Sequence, residues 1–145
     1  MRIGIVGVGF MGHMHGNVYK LLDNAQLVGC VSKKPETRAK YAQEFGIKAY
    51  DSLEAMLSAE QLDAVDICLP TYLHKEFSVK VANAGKHVFC EKPMALTGDD
   101  ADEMIAAAKA NGVQLMIGHC IRFWPEYAML KQIKEDGRLG KLLSV

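Results

Sequence analysis

Three glycines near the start of the chain, Gly7, Gly9 and Gly12, stand at the G-x-G-x-x-G spacing, with Val8, Phe10 and Met11 between them. Ahead of them Ile3, Ile5 and Val6 make the short apolar run of a buried parallel strand. Behind them the sequence reads as the first turns of a helix. In a strand–turn–helix setting each glycine has a physical task. Gly7 permits the tight turn, Gly9 lets the backbone approach a pyrophosphate, and Gly12 lets the helix pack closely on the strand. The helix N-terminus adds free N–H groups and the positive end of its dipole, so the chemistry is the binding of a dinucleotide. About 20 residues past the last glycine, an acidic residue would hold the ribose 2′-hydroxyl of NAD. This chain has Ser32, Lys33 and Lys34 there. A hydroxyl and two ammonium groups suit a 2′-phosphate, which a carboxylate would repel, so NADP is favoured over NAD. A solvated basic turn before a helix is the plainer alternative.

The elements that must position these residues alternate along the chain. A helix from about Met11 to Leu22 follows the glycine turn, then a strand at Gln26 to Val31 and a helix at Pro35 to Phe45. Pro35 suits a first helical turn, and Gly46 stops that helix. Lys48 to Tyr50 is a third strand, and Asp51 or Ser52 caps a short helix through Met56 and Leu57. A fourth strand spans Leu62 to Leu69 and ends at Pro70. A helix carrying His74 to Asn83 closes at Gly85, and Lys86 to Cys90 is a fifth strand. Thr97 caps a helix to Ala110, whose first turn holds acidic residues where the dipole favours them. Gln114 to Ile117 is a sixth strand and Pro125 to Glu135 a last helix. Strands joined by helices of this length predict right-handed crossovers and an α/β, Rossmann-like, doubly wound parallel sheet. Ligands of such sheets bind beyond the carboxyl ends of the strands. Gly7 to Gly12, Ser32, Pro70 and Lys92 are therefore expected along one edge.

Composition fits one domain with a real core: 145 residues, half of them hydrophobic, with 17 basic and 17 acidic side chains. No basic excess suggests nucleic acid, and no apolar run is long enough to cross a bilayer. The chain enters its first strand at once, so a leader peptide is not expected. Cys30, Cys68, Cys90 and Cys120 show no C-x-x-C spacing and read as reduced core thiols of a cytoplasmic protein.

After the fifth strand the chain reads Glu91-Lys92-Pro93, and after the fourth Leu69-Pro70-Thr71 with His74 close behind. With the glycine turn, and with Arg122-Phe123 and Pro125 after the sixth strand, these residues resemble the Gfo/Idh/MocA family of oxidoreductases. The resemblance spans essentially the whole chain and does not single out a substrate. It implies NAD(P)-dependent oxidation or reduction of a sugar, inositol or related polyol. By position, Lys92 matches the family lysine beside the nicotinamide that bonds the substrate hydroxyl or carbonyl. A lysine serves as acid or base near neutral pH only where burial or a nearby cation lowers its pKa. Glu91 would orient groups at the nicotinamide ribose, Pro93 would fix the turn, and the Lys92–Pro93 peptide is expected to be cis. Leu69, Pro70 and Thr71 match the loop lining the ribose and nicotinamide, and Arg122, at the exit of the sixth strand, is expected among the cofactor-binding residues. His74 would either touch the ribose or cap the helix it begins.

The resemblance also implies a second α/β domain that selects substrate and builds a homo-oligomer. Residues 1–136 are then the cofactor domain. Gly137 to Val145 would begin the next domain, as a strand that is disordered or borrowed by a neighbour when alone. A non-catalytic NAD(P) sensor on the same fold is the alternative reading. Other features have simpler expectations. His13 and His15, two apart on a helix, point to different faces and make no ligand pair. His119 beside Cys120 is a strand end, and no metal is expected. Met104, Met116 and Met129 read as core gap-fillers. Asp99, Asp100, Asp102 and Glu103 read as a solvated helix start.

Overall fold

The computed structural model describes residues 1–143. Its strands are β1 (Arg2–Val6), β2 (Gln26–Val31), β3 (Lys48–Tyr50), β4 (Ala64–Ile67), β5 (His87–Cys90) and β6 (Leu115–Ile117). Between and after them run α1 (Phe10–Tyr19), α2 (Pro35–Phe45), α3 (Leu53–Ala59), α4 (His74–Asn83), α5 (Gly98–Ala110) and α6 (Pro125–Glu135). The caps follow the local chemistry. Pro35 opens α2 and Gly46 closes it in the left-handed conformation at φ 65°. The Ser52 and Thr97 side chains accept hydrogen bonds from the Ala55 and Asp100 N–H groups, starting α3 and α5.

The six strands lie in the order β3-β2-β1-β4-β5-β6, and every neighbouring pair is parallel. From β1 the chain winds outward to β3, then returns to pair β4 on the other side of β1. Strand order therefore reverses between β1 and β4. Because all strands point one way, Gly7, Ser32, Cys68, Glu91 and Gly118 leave the sheet along one edge, as the alternation required. One face buries Val65, Ile67 and Val88 against Leu53 and Met56 of α3, Val81 of α4 and Met104 of α5. The other face buries Ile5 and Cys30 against Val8 and Tyr41 of α2.

Several boundaries differ from those expected. β4 is shorter than Leu62 to Leu69, because its ladder with β1 starts opposite Ile3 and ends where β1 turns away at Gly7. α1 ends at Tyr19, short of Leu22. Single 3-10 turns at Thr71–Leu73 and Cys120–Phe123 carry no periodicity that could announce them. Met104 fills the core, but Met116 and Met129 are 52% and 62% exposed. Met116 lies on the outer edge strand, and α6, which carries Met129, buries none of its residues. The acidic start of α5 is only partly a solvated face. Asp100 and Glu103 pair with Lys75 at 2.9 and 3.3 Å, tying α5 to α4. Cys30 and Cys90 are buried, whereas Cys120 is exposed; all four thiols are free. Residues 137–143 form no strand, and Ser144 and Val145 of the expected strand lie outside the described residues.

The glycine turn packs backbone directly against backbone. Gly7 sits at φ 93°, and a Cβ there would lie 2.5 Å from the Cys68 carbonyl oxygen. A Cβ on Gly12 would overlap the Gly7 carbonyl oxygen, which is backbone and cannot swing aside. Gly98, the first residue of α5, has open space instead. Gly12→Ala should therefore lower unfolding stability by about 3 kcal/mol, the upper range of single substitutions, with Gly98→Ala near neutral. Guanidinium denaturation of both variants measures the contrast, and equal stabilities would show that the turn tolerates a side chain.

Candidate cofactor and reaction site

The glycine turn delivers α1 to the sheet edge with its first turn uncovered. Gly9 is the N-terminal cap residue, no side chain bonds to the first-turn N–H groups, and no acid stands in that turn. A Cβ on Gly9 would meet nothing within 4 Å. Free donors, a positive dipole end and open space over a glycine are what a pyrophosphate needs, so these residues fit a dinucleotide. A cavity of about 850 Å³ opens at this point, lined by Gly7, Val8, Gly9, Phe10 and Met11, by Ser32, Lys33 and Lys34, and by Leu69 and Pro70. Gly12 lies beneath it as a packing position. Thr71 starts the 3-10 turn behind Pro70 and is not among the lining residues.

Past β2 the chain is organised around Ser32. Its hydroxyl accepts from the Lys34 N–H at 3.3 Å, and its carbonyl accepts from the Arg38 guanidinium at 3.1 Å. Lys33 and Lys34 are exposed beside it. Three cations thus gather after β2, and the carboxylates lining the cavity, Asp51, Glu54 and Glu76, come from beyond β3 and from α4.

The Glu91-Lys92-Pro93 turn leaves β5 with the Lys92–Pro93 peptide cis. Lys92 is exposed and lines a second cavity, of about 870 Å³, with His119, Arg122, Phe123, Tyr127 and Lys131. Arg122 therefore stands with Lys92 and not beside the glycine turn. His74 takes neither of the two roles left open for it. It is 1% exposed, and its Nδ1 and Nε2 lie 2.8 and 2.7 Å from the Pro93 and Leu69 carbonyl oxygens. The buried ring thus stands between the loop after β4 and the turn after β5, within hydrogen-bond distance of a carbonyl from each.

Beneath the site lies a polar cluster that the helical spacing argument missed. His13 and His15 do diverge: His13 Nε2 faces Glu44 at 3.3 Å, whereas His15 turns inward. His15 Nδ1 lies 2.8 Å from Asp66 Oδ2, and its Nε2 lies 3.3 Å from Glu91 Oε1. Asp66, fully buried in β4, also accepts from the Tyr19 hydroxyl at 3.0 Å and the Cys68 thiol at 3.4 Å. Burial alone would lower the His15 pKa, but hydrogen bonds and charge from Asp66 and Glu91 outweigh it and raise the pKa above 6.5. Burial and Asp66 push the Tyr19 and Cys68 pKa values well up, so both remain protonated donors. The ligand-type atoms of His15, Asp66 and Cys68 lie within 4.8 Å of one another. Their contacts with one another form a hydrogen-bonded network under the sheet edge. The sequence signal for it was Asp66 itself, a charge inside the apolar run Ala64 to Ile67. For Arg38, a basic residue one turn into α2, the sequence carried no distinguishing signal.

A doubly wound parallel sheet with an open glycine turn at its switch point defines a dinucleotide-binding domain. Residues 1–119 match the family described as "Oxidoreductase family, NAD-binding Rossmann fold", the Gfo/Idh/MocA family, and the chain belongs to it. The 2,7-anhydro-N-acetylneuraminate hydratase of Escherichia coli K12 is 38% identical over 99% of this chain and 38% of its own length. The myo-inositol 2-dehydrogenase of Thermotoga maritima is 35% identical over 97% of this chain and 42% of its own. The crystal structure of the WlbA dehydrogenase from Bordetella pertussis, in complex with NADH and UDP-GlcNAcA, superimposes with a TM-score of 0.94. It is 32% identical, over 97% of this chain and 41% of that one. The chain thus spans about two-fifths of the length of these relatives.

The His15 arrangement has a pH signature. A histidine whose pKa is raised by folding stabilises fully below its unfolded value, 6.5, and loses that contribution as pH rises through its folded value. Thermal melts from about pH 6 to about pH 9 should show wild type losing stability through this window. His15→Gln should be less stable at the acid end and should lack that slope. Parallel curves for the two proteins would show that His15 carries no extra proton affinity.

Proposed function

We propose that this chain is the cofactor-binding part of an NAD(P)-dependent oxidoreductase acting on a sugar, inositol or related polyol. The observation that supports it is the meeting on one sheet edge of an open glycine turn and the exposed lysine of a Glu-Lys-Pro turn. The nicotinamide, when bound, supplies the hydride donor or acceptor. Lys92 exchanges a proton with the substrate hydroxyl or carbonyl, and Glu91 orients the turn that carries it. Leu69 and Pro70 wall the nicotinamide side, and Arg122 and Lys131 offer cations to a polar substrate in the second cavity. Residues 1–136 form the cofactor domain in this reading, with 137–145 leading onward. The 145-residue chain is expected to bind cofactor without useful turnover, since substrate positioning, worth roughly 7–11 kcal/mol of a barrier, needs more of the protein. The names of two relatives refer to an anhydro sugar acid and an inositol, and the WlbA dehydrogenase is bound to UDP-GlcNAcA, compounds of the class this reading requires.

Ser32, Lys33, Lys34 and Arg38 favour NADP, whereas the NADH bound to the related WlbA enzyme favours NAD. Titration of both reduced cofactors decides it. Wild type should bind NADPH more tightly than NADH. Ser32→Asp with Lys33→Ala should weaken NADPH about tenfold or more and spare NADH, through lost cations and new repulsion. Equal or tighter NADH binding by wild type would overturn the NADP preference.

Gly9→Ala separates binding from folding. Its Cβ would enter open space in the free chain but occupy the place of the pyrophosphate. Unfolding stability should stay within about 1 kcal/mol of wild type, while affinity for either cofactor falls at least tenfold. Undiminished affinity would move the dinucleotide away from the glycine turn. A non-catalytic sensor would bind cofactor equally well, and a longer protein containing this chain separates the two readings. Cofactor reduction or oxidation with a panel of sugars and inositols supports the enzyme, and its absence, while the same panel still alters cofactor binding, supports the sensor.

A further inference from the structure

His15 faces two carboxyl groups from two different strands. On one side is Asp66 of β4, at 2.8 Å from Nδ1. On the other is Glu91, just past β5, at 3.3 Å from Nε2. A neutral imidazole donates from one nitrogen only, whereas the protonated ring donates from both and fits two acceptors at once. The ring stacks with an offset on Phe89 of β5, with centroids 5.5 Å apart and planes at 19°, so one of its faces is packed. The other titratable groups packed there are Tyr19 of α1 and Cys68 after β4, and both donate to Asp66.

Glu91 is held on three sides. Oε1 faces His15, Oε2 accepts from the backbone N–H of Lys92 at 3.0 Å, and Gly118 closes over it. A Cβ on Gly118 would stand 3.2 Å from Oε1, close enough to displace the carboxylate. The carboxylate therefore links a partly buried ring to the main chain of the residue that faces the second cavity.

We propose that His15 is a positioning residue for the Glu91-Lys92-Pro93 turn. As an imidazolium between Asp66 and Glu91 it fixes the Glu91 carboxylate, which in turn fixes the Lys92 backbone beside the dinucleotide cavity. Loss of its proton removes one of the two donors, frees Glu91 and loosens the turn. The consequence for cofactor binding rests on the function proposed above; the coupling of His15 to Lys92 does not.

NMR titration of the 145-residue chain tests the coupling without any ligand. The His15 ring nitrogens should titrate above pH 6.5, and the Lys92 amide signal should move with the same midpoint. In Glu91→Gln the His15 midpoint should fall, and the Lys92 amide should no longer follow it. A His15 midpoint at or below 6.5, or a Lys92 amide indifferent to it, would overturn the proposal. If Glu91→Gln fails to fold, the wild-type titration alone still decides, because both midpoints are read in one protein. In a second arm, affinity for NADH and NADPH is measured across the same range. It should fall several-fold as His15 deprotonates in wild type and stay flat in Glu91→Gln. Flat wild-type affinity beside a tracking Lys92 amide would overturn the positioning role toward cofactor. Absence of cofactor binding at every pH would instead sink the proposed function, with the amide titration still judging the coupling.

Discussion

The close approach of three backbone segments at the first turn constrains everything else in this fold. Gly7 lies against the carbonyl of Cys68, and Gly12 lies against the carbonyl of Gly7, with no room at either for a side chain. That stacking brings α1 down onto β1 and β4 where strand order reverses. Two results follow from one contact. The N-terminus of α1 is aimed across the sheet edge with its donors free, and the next turn of the same helix places His15 directly over Asp66. The open start of α1 and the buried charge network are thus set by the same absence of Cβ atoms.

Much of this was legible in the sequence because its signals were local. Apolar runs bounded by glycine and proline marked each strand, and Pro35, Gly46, Ser52 and Thr97 marked helix ends that the structure confirms. The parallel topology then placed the strand-end residues on one edge without knowledge of any side chain. Where reading failed, the deciding partner was distant. Spacing along α1 correctly denied a pairing of His13 with His15 but could say nothing of Asp66, 51 residues away. The Asp100 and Glu103 side chains looked solvated until α4 brought Lys75 beside them. Met116 and Met129 matched core composition, yet an edge strand and an outlying helix gave them no layer to fill.

The buried network also shows why a charge sits in a strand that hydrophobic patterning would fill with valine. Asp66 is flanked by Val65 and Ile67, both fully buried, and an isolated carboxylate there would be expensive to desolvate. Three donors surround it: the His15 ring, the Tyr19 hydroxyl and the Cys68 thiol. Breaking one such partner leaves a buried charge uncompensated, which costs far more than a surface pair. A plain apolar cluster would pack as well and give α1 no fixed relation to Glu91.

Two histidines from different helices then hold the Glu-Lys-Pro turn from its two ends. His15 of α1 engages the Glu91 carboxylate, and His74 of α4 engages the Pro93 carbonyl. Lys92 lies between these anchored residues with its side chain exposed toward the second cavity. Main-chain freedom at the turn is spent on folding, so the motion left to Lys92 is that of its own side chain. A flexible lysine on a mobile loop would have to be ordered anew at each encounter, an entropic demand that a pre-formed turn removes. The other His74 nitrogen lies 2.7 Å from the carbonyl of Leu69, a residue that lines the cavity at the glycine turn. The cavity at the glycine turn and the lysine turn thus share one buried ring across the switch point of the sheet, a side chain that lines neither cavity.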